Sequence, residues 1–231
     1  MIGESPHFAG LFGHVRITHF LEGDEAMSQS ISVHQPKARS IPGYDYGQPS
    51  AAHSPVSLEE LREIEEAAGW TEEDALILKR HHEIFEQNAE RMVDAWRKVI
   101  ASQPHLAKWF TTSDGKTDDE YKAKVKARFV QWVVDVCFRP HDQAWLDYQE
   151  EIGLRHTPEK KNKTDGARTQ PLVPLRYLMA FVTNVLISSR RFFVEAGVKG
   201  EELQKLEDAW ARAVQLHVTL WARPYAKDGL W

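Results

Sequence analysis

Apolar side chains recur every three to four residues through most of the chain after Ser57, the spacing of helices that each bury one face. Pairs of capping residues mark where two of these helices begin. Ser57 stands three residues before Glu60, and Thr71 stands three residues before Asp74. No segment shows the alternation of apolar and polar residues that is typical of a half-buried strand. The pattern therefore predicts an all-α fold.

Proline and glycine residues divide this helical region into segments. We expect helices over residues 58–68, 71–102 (as one helix or a pair), 104–110, 118–138, 145–156, 174–196 and 201–222. A polar loop at residues 157–171 separates the helix that ends at residue 156 from the last two. Periodicity alone supports a single all-α domain and no more specific architecture.

One of these helices ends in a histidine. Trp145, Tyr148 or Gln149, Ile152 and His156 form one stripe, which is apolar until its last member. A haem iron needs an axial nitrogen at the mouth of a dry aromatic pocket, and His156 is a candidate for that ligand. A histidine satisfied within the core is the alternative. The second ring nitrogen would need an acceptor, which we expect to be a backbone carbonyl of the same helix. Eight helices with such a ligand are typical of a globin-like fold.

Charge and cysteine content exclude several other classes of protein. The net charge of −5 argues against a general affinity for nucleic acid or anionic membranes. Cys137 is the single cysteine, so the chain has no intrachain disulfide and no Cys-x-x-Cys-His site for covalent haem attachment. No apolar run reaches transmembrane length, and no secretory signal opens the sequence. We expect a cytoplasmic protein that contacts neither membrane nor nucleic acid.

The first part of the chain lacks the helical pattern. Residues 1–40 have no sustained period, and we expect them to form a mobile arm. Residues 41–47, Ile-Pro-Gly-Tyr-Asp-Tyr-Gly, contain Pro and Gly that exclude a helix and apolar rings suited to packing. We expect an ordered, extended segment that lies on the core. Residues 41–231 would then form one domain.

Five stretches of the sequence resemble the protoglobins, single-domain haem proteins related to the globin domains of globin-coupled sensors. The stretches are Ile-Pro-Gly-Tyr-x-Tyr-Gly (41–47), Asp-Gln-Ala-Trp-Leu-Asp-Tyr-Gln (142–149), Glu-Ile-Gly-Leu-Arg-His (151–156), Lys-Lys-Asn-x-Thr-Asp (160–165) and Arg-Tyr-Leu-x-Ala-Phe (176–181). They occur in order, and the resemblance covers about residues 41–228.

The resemblance implies a globin fold with an extra N-terminal helix, here residues 58–68. It implies haem b, bound non-covalently with its iron on His156 as the proximal ligand, and O2, CO or NO at the open axial position. Residues 41–47, among them Tyr44, would bury the haem more than in ordinary globins. Many protoglobins form homodimers through their last two long helices, here 172–193 and 203–220. Full burial of these apolar residues in the core is the competing account.

The resemblance also assigns residues to the gas-binding side of the haem. Trp96, Phe129 and Phe181 match the protoglobin positions whose rings line that side, and Val185, one turn after Phe181, would complete the wall. Such a lining keeps water and protons away from a bound ligand. Ordinary packing between helices is the alternative for each residue.

Arg97 departs from the family pattern, which typically has a tyrosine after the distal tryptophan. An unpaired guanidinium is costly to bury, so Arg97 either turns out to a carboxylate or haem propionate or stands over the iron as a donor. Arg128 lies at the rim of the same pocket, and it either pairs with a propionate or is a solvated surface arginine. Lys160 and Lys161 lie on the loop after the proximal helix, where we expect a solvated loop and a haem contact is the alternative.

The sequence thus predicts a haem protein that reversibly binds diatomic gases for scavenging, storage or sensing. A haem enzyme that acts on NO, nitrite or peroxide-type substrates is the alternative. A haem-free helical interaction protein is a third reading, which would require that haem binding has been lost.

Overall fold

The computed structural model describes residues 41–227 and 229–231, so the arm expected at residues 1–40 lies outside the described residues. Eight α-helices follow one another in the described part of the chain. They are α1 (Leu58–Ala68), α2 (Glu72–Arg80), α3 (His82–Ser102), α4 (Pro104–Ala107), α5 (Asp119–Phe138), α6 (Gln143–Leu154), α7 (Leu175–Glu195) and α8 (Gly200–Ala222). Short 3-10 turns at Lys108–Phe110 and Arg223–Tyr225 follow α4 and α8.

Local sequence signals fix the start of the first two helices. The Ser57 side chain accepts from the backbone N–H of Glu60, and the Glu60 carboxylate accepts from the backbone N–H of Ser57. The two residues thus form a capping box before α1. Thr71 and Asp74 do the same before α2. Gly69 ends α1 with a φ of 68°, a conformation that costs a residue with a Cβ about 1–2 kcal/mol. These boundaries are confirmed, and the 71–102 region proves to be a pair of helices.

The core lies between α3, α5, α7 and α8. Helix α3 packs against α5 and α7, while α8 contacts α1, α2, α6 and α7. Large side chains that are almost completely buried fill the space between them: Phe85, Trp96, Phe193 and Trp210. Within the described residues, β pairing is confined to two isolated bridges, Thr111–Thr117 and Thr112–Thr169. The all-α prediction is therefore confirmed.

The last two long helices differ in how they use their apolar residues. Most apolar side chains of α8 are buried within the chain. Helix α7 leaves Met179, Ile187 and Val194 exposed on one stripe. None of the described helices combines the length and the hydropathy that a bilayer crossing requires.

The segment at residues 41–47 is ordered, but the prediction that it is extended is wrong. The backbone N–H of Tyr44 donates to the carbonyl of Ile41 (3.0 Å), and that of Gln48 donates to the carbonyl of Asp45 (2.9 Å). These are two successive turns, and the two glycines of the segment have φ values of 72° and 67°. Glycine takes up such left-handed conformations without strain, so the Pro-Gly pattern bends the chain.

Candidate functional site

A cavity of about 240 Å³ lies between the helices, and most of its lining is apolar. Helix α5 supplies Val125, Phe129 and Trp132, and α7 supplies Phe181 and Val185. The turn after α4 and the ends of α6 and α8 close the remaining sides. A concave, aromatic cavity with few polar groups is typical of a site for a small organic ligand or cofactor.

His156 lines this cavity at the C-terminal end of α6. The sequence placed it inside the helix, which is wrong by two residues, since α6 ends at Leu154. The backbone N–H of His156 donates to the carbonyl of Gly153 (3.0 Å), three residues back and not four as in an α-helix, so the last turn is tighter than an α-helical one. The histidine therefore projects from a turn that the helix holds in place.

The ring of His156 is oriented by its own helix, as the sequence predicts. Its Nδ1 lies 2.8 Å from the carbonyl oxygen of Ile152, and since a carbonyl only accepts, Nδ1 carries the proton. Nε2 has no hydrogen-bond partner among the described residues and keeps its lone pair. Burial lowers the pKa of His156 to about 4, so the ring is neutral at pH 7. A neutral imidazole with one nitrogen fixed and the other free is the form that binds a metal.

Gly153 sets the distance between this helix end and the end of α8. A Cβ at position 153 would lie 3.0 Å from Cγ of Pro224 and 3.1 Å from the carbonyl oxygen of Trp221. The ring of Trp221 stacks on that of His156 with 6.0 Å between centroids. The missing side chain at position 153 thus allows the two helix ends to approach and brings Trp221 against the histidine.

Three of the residues predicted to line the gas-binding side do line the cavity, namely Phe129, Phe181 and Val185. Trp96 is not among the residues that line it. Its ring lies behind Phe129, with 5.2 Å between centroids, and its indole N–H donates to Oγ of Ser188 (2.6 Å). Trp96 therefore supports the wall and does not form its surface.

Tyr44 also lies one layer away from the cavity. Its hydroxyl donates to Asp135 (2.5 Å) and accepts from Arg139 (3.1 Å). Burial and the Asp135 carboxylate raise the pKa of Tyr44 well above its ordinary value, so the hydroxyl keeps its proton. The ring stands edge-on to Tyr148, which lines the cavity. Tyr44 thus fixes the 41–47 segment to α5 and α6.

Arg128 pairs with Asp165, and neither partner is solvated. The two side chains form a two-pronged ion pair at 2.9 and 2.6 Å, and both are largely buried. Arg128 also donates to the carbonyl of Pro42 (2.8 Å). The surface interpretation of Arg128 is therefore wrong, and its charge is compensated within the chain.

Arg155 makes a second connection of this kind. It donates to the carbonyl of Gly43 (2.6 Å) and to the carboxylates of Asp45 (2.7 Å) and Glu151 (2.9 Å). Burial disfavours the charge of Glu151, but Lys160 and Arg155 outweigh it and hold the pKa of Glu151 below its ordinary value. Arg128 and Arg155 both line the cavity, so two arginines hold the 41–47 segment against its rim.

Arg97 lines the cavity without a carboxylate partner among the described residues. Its guanidinium donates to the carbonyl of Lys122 (3.0 Å) and lies over the ring of Phe110 at 5.9 Å. Burial lowers the pKa of Arg97 relative to its ordinary value. The sequence left two alternatives for Arg97, a turn outward to a carboxylate or propionate and a position over the iron. In the structure a backbone carbonyl is its hydrogen-bond acceptor, so neither alternative describes it completely.

Lys161 is the cavity residue for which the sequence favoured the wrong alternative. It was expected in a solvated loop, which is wrong, since the residue is 3% exposed and lines the cavity. Lys160 beside it does not line the cavity and pairs with the buried Glu151 carboxylate (2.5 Å). Two adjacent lysines carry no signal in the sequence that separates the one that lines the cavity from the one that does not.

Comparisons with known proteins identify the kind of fold that holds this cavity. The family model described as Protoglobin matches residues 57–231, well over half of the chain. Among solved structures, the globin domain of a Geobacter sulfurreducens globin-coupled sensor matches at a TM-score of 0.57 and 17% identity, covering 72% of this chain and 97% of that one. No curated protein matches the sequence. The globin-like fold expected from the sequence, with α1 before the globin helices, is confirmed.

Proposed function

The chain belongs to the protoglobin family, and on that premise we propose that it is a haem protein that reversibly binds O2, CO or NO. Haem b, held without covalent bonds, would supply the iron to which such gases bind, and His156 would hold that iron. We assign gas binding, for scavenging, storage or sensing, as the role of residues 41–231. The cytoplasmic location stays a prediction from the sequence.

The observation that carries this proposal is the state of His156. Its ring is neutral, its Nδ1–H is held by the Ile152 carbonyl, and its Nε2 is free in a cavity with an apolar lining. His217, which is also buried, accepts from Trp132 and does not line the cavity, whereas His156 brings its free nitrogen to the cavity lining. The fit between this donor and the cavity supports His156 as the axial ligand of a haem iron.

The remaining cavity residues suit a site that holds a small gas away from water. Phe129, Phe181 and Val185 present no polar atom to the cavity, so water gains no partner along this wall. Trp96 keeps the Phe129 ring in place from behind. Arg97 follows Trp96 in the sequence, and its guanidinium donates to the Lys122 carbonyl, which supplies it with an acceptor within the chain.

An absorption spectrum tests the proposal. The purified protein, supplied with haemin, is measured in its ferric, dithionite-reduced and CO-bound forms. A Soret band that shifts when CO is added is expected, because an iron with one protein ligand keeps a position for the gas. The absence of any Soret band after haemin addition would contradict the proposal and favour a haem-free helical protein.

We also propose that the protein forms a homodimer, mainly through α7. Met179, Ile187 and Val194 lie eight and seven residues apart, on one face of the helix, and Ile187 is 72% exposed. Most apolar residues of α8 are used within the chain, so α8 offers less surface than the sequence suggested. Light scattering at high protein concentration is expected to give twice the chain mass. A monomer mass in the wild type, equal to that of Ile187→Lys, would refute the dimer.

A further inference from the structure

We propose that Lys161 and the indole N–H of Trp109 form a binding site for a carboxylate of the haem, so that this end of the cavity orients the cofactor. The inference rests on the proposed function and deepens it. It concerns side chains that the resemblance did not assign to the haem, and it predicts which cofactor chemistry the cavity selects.

The charges of the other cations around the cavity limit where an anion can bind. Arg128 is paired with Asp165, and Arg155 is paired with Asp45 and Glu151. These arginines are compensated before any ligand enters. An anionic group therefore gains little from them, although pairing with a propionate is one of the two alternatives that the sequence leaves open for Arg128.

Lys161 has no such compensation. Among the described residues, no carboxylate oxygen lies within ion-pair distance of its Nζ, which donates to the carbonyl of Trp109 (2.9 Å) and to Oγ1 of Thr169 (2.7 Å). An ammonium group has three N–H bonds, so one donor is left without an oxygen acceptor, and the centroid of the Tyr121 ring lies 5.0 Å from Nζ. Burial with no counter-charge lowers the pKa of Lys161 to about 8. A charge buried in this way is costly unless a partner arrives.

Trp109, whose backbone carbonyl accepts from Lys161, has a second donor without a partner among the described residues. Its indole N–H is buried and has no partner among the described residues, and Trp109 lines the cavity together with Lys161. Buried donors without partners are rare in native proteins and call for an explanation. The carbonyl of the same tryptophan already accepts from Lys161, so both donors belong to one local arrangement.

A carboxylate meets the requirements of both groups at once. It has two oxygens that accept several hydrogen bonds, and its charge balances the ammonium. A water molecule could accept from the donors, but it would leave the charge uncompensated. Arg97, which also lacks a carboxylate partner in the described part of the chain, lies on the Phe110 ring, and Phe110 packs 5.8 Å from Tyr121, the ring beneath Lys161. The two uncompensated cations thus share this side of the cavity.

The test compares haem with its dimethyl ester, which has the same ring and iron but no free carboxylates. Each is titrated into the protein freed of haem, and binding is followed by the Soret band and by quenching of tryptophan fluorescence. The wild type is expected to bind haem about 10- to 100-fold more tightly than the ester, the range for hydrogen bonds to charged groups. This comparison needs no substitution.

Variants then assign the preference to particular side chains. In Lys161→Met the affinity for haem should fall close to that for the ester, while the ester binds as it does to the wild type. Its haem-free form should melt no lower than the wild type, because an uncompensated buried charge has been removed. Trp109→Phe should lose a smaller part of the preference. Lys163→Met removes the same charge from an exposed residue of the same loop, and it should behave as the wild type.

Three results would overturn the inference. A wild type that binds haem and ester equally would remove the carboxylate site and leave the haem proposal intact. A Lys161→Met protein that loses affinity for both ligands, or whose haem-free form melts well below the wild type, would show that the lysine is structural. A wild type that binds neither ligand would refute the haem function, and the inference with it.

Discussion

Replacement of His156 by alanine is expected to weaken haem binding by more than about 100-fold, since even the partners that orient a metal-binding histidine are worth roughly 10- to 100-fold. The ring is the donor that reaches the cavity from α6, and its tautomer is set by the Ile152 carbonyl. The variant leaves the apolar wall in place, so a weakly held haem should show an altered Soret band. Absorption titrations with haemin measure the loss.

Added imidazole separates the loss of a ligand from the loss of the fold. Free imidazole fits the space left by the side chain, so it should restore a spectrum close to that of the wild type. His53→Ala, which removes a histidine whose side chain is 78% exposed, is the matched control and should bind haemin normally. Unchanged affinity and spectrum in His156→Ala would show that another group ligates the iron.

The haem-free protein is expected to lose stability steadily as the pH falls from about 6.5 towards 3, and His217 is a main cause. Its Nδ1 accepts from the indole N–H of Trp132 (2.9 Å), and the side chain is almost completely buried. Burial, with a smaller contribution from the nearby His141, lowers the pKa of His217 to about 3. Protonation would also place a hydrogen on the nitrogen that Trp132 needs as an acceptor.

The sign follows from proton uptake. Between the ordinary histidine pKa of 6.5 and a pKa of about 3, the unfolded chain holds a proton at position 217 that the folded chain does not. The free energy of unfolding therefore falls with pH in that window, by up to about 1.4 kcal/mol per pH unit. His156 adds to the fall in the same sense down to a pH of about 4.

Urea unfolding of the haem-free protein at a series of pH values measures this slope. His217→Gln keeps an acceptor for Trp132 but cannot titrate. Its free energy of unfolding should therefore depend less steeply on pH, by up to about 1.4 kcal/mol per pH unit, which corresponds to one proton. The comparison concerns slopes and not absolute stability, which the substitution also changes. His105→Gln, at an exposed site, is the control. Equal slopes for the wild type and His217→Gln would show that His217 is not held neutral in the folded protein.

The sequence predicted what depends on local chemistry and periodicity. Capping boxes at Ser57 and Thr71 placed two helix starts, because these bonds form between residues three apart. The acceptor of the His156 ring was predictable for the same reason, since a helix always offers a carbonyl four residues back. The resemblance added the globin arrangement that periodicity alone does not specify.

What the sequence missed depends on contacts between distant segments. The pairing of Arg128 with Asp165, and the burial of Lys161 against Trp109, join residues tens of positions apart. Residue type cannot separate Lys161 from Lys160, and it cannot tell that Trp96 stands behind Phe129 instead of beside it. Which cations are paired is thus a property of the folded chain. The structure shows Arg128 paired with a carboxylate and Lys161 without one among the described residues, and the sequence predicted neither.

Gly153 bears on how relatives of this protein can diverge. A side chain at position 153 would crowd Trp221 and Pro224 where α6 meets α8, whether or not anything binds to the histidine three residues later. Replacement of Gly153 is therefore expected to disturb the fold, whereas replacement of His156 removes the proposed ligand of the cofactor. A related chain that keeps the glycine but lacks the histidine is therefore expected to have this fold without binding haem. Comparing the two positions across relatives would show in which of them haem binding has been lost.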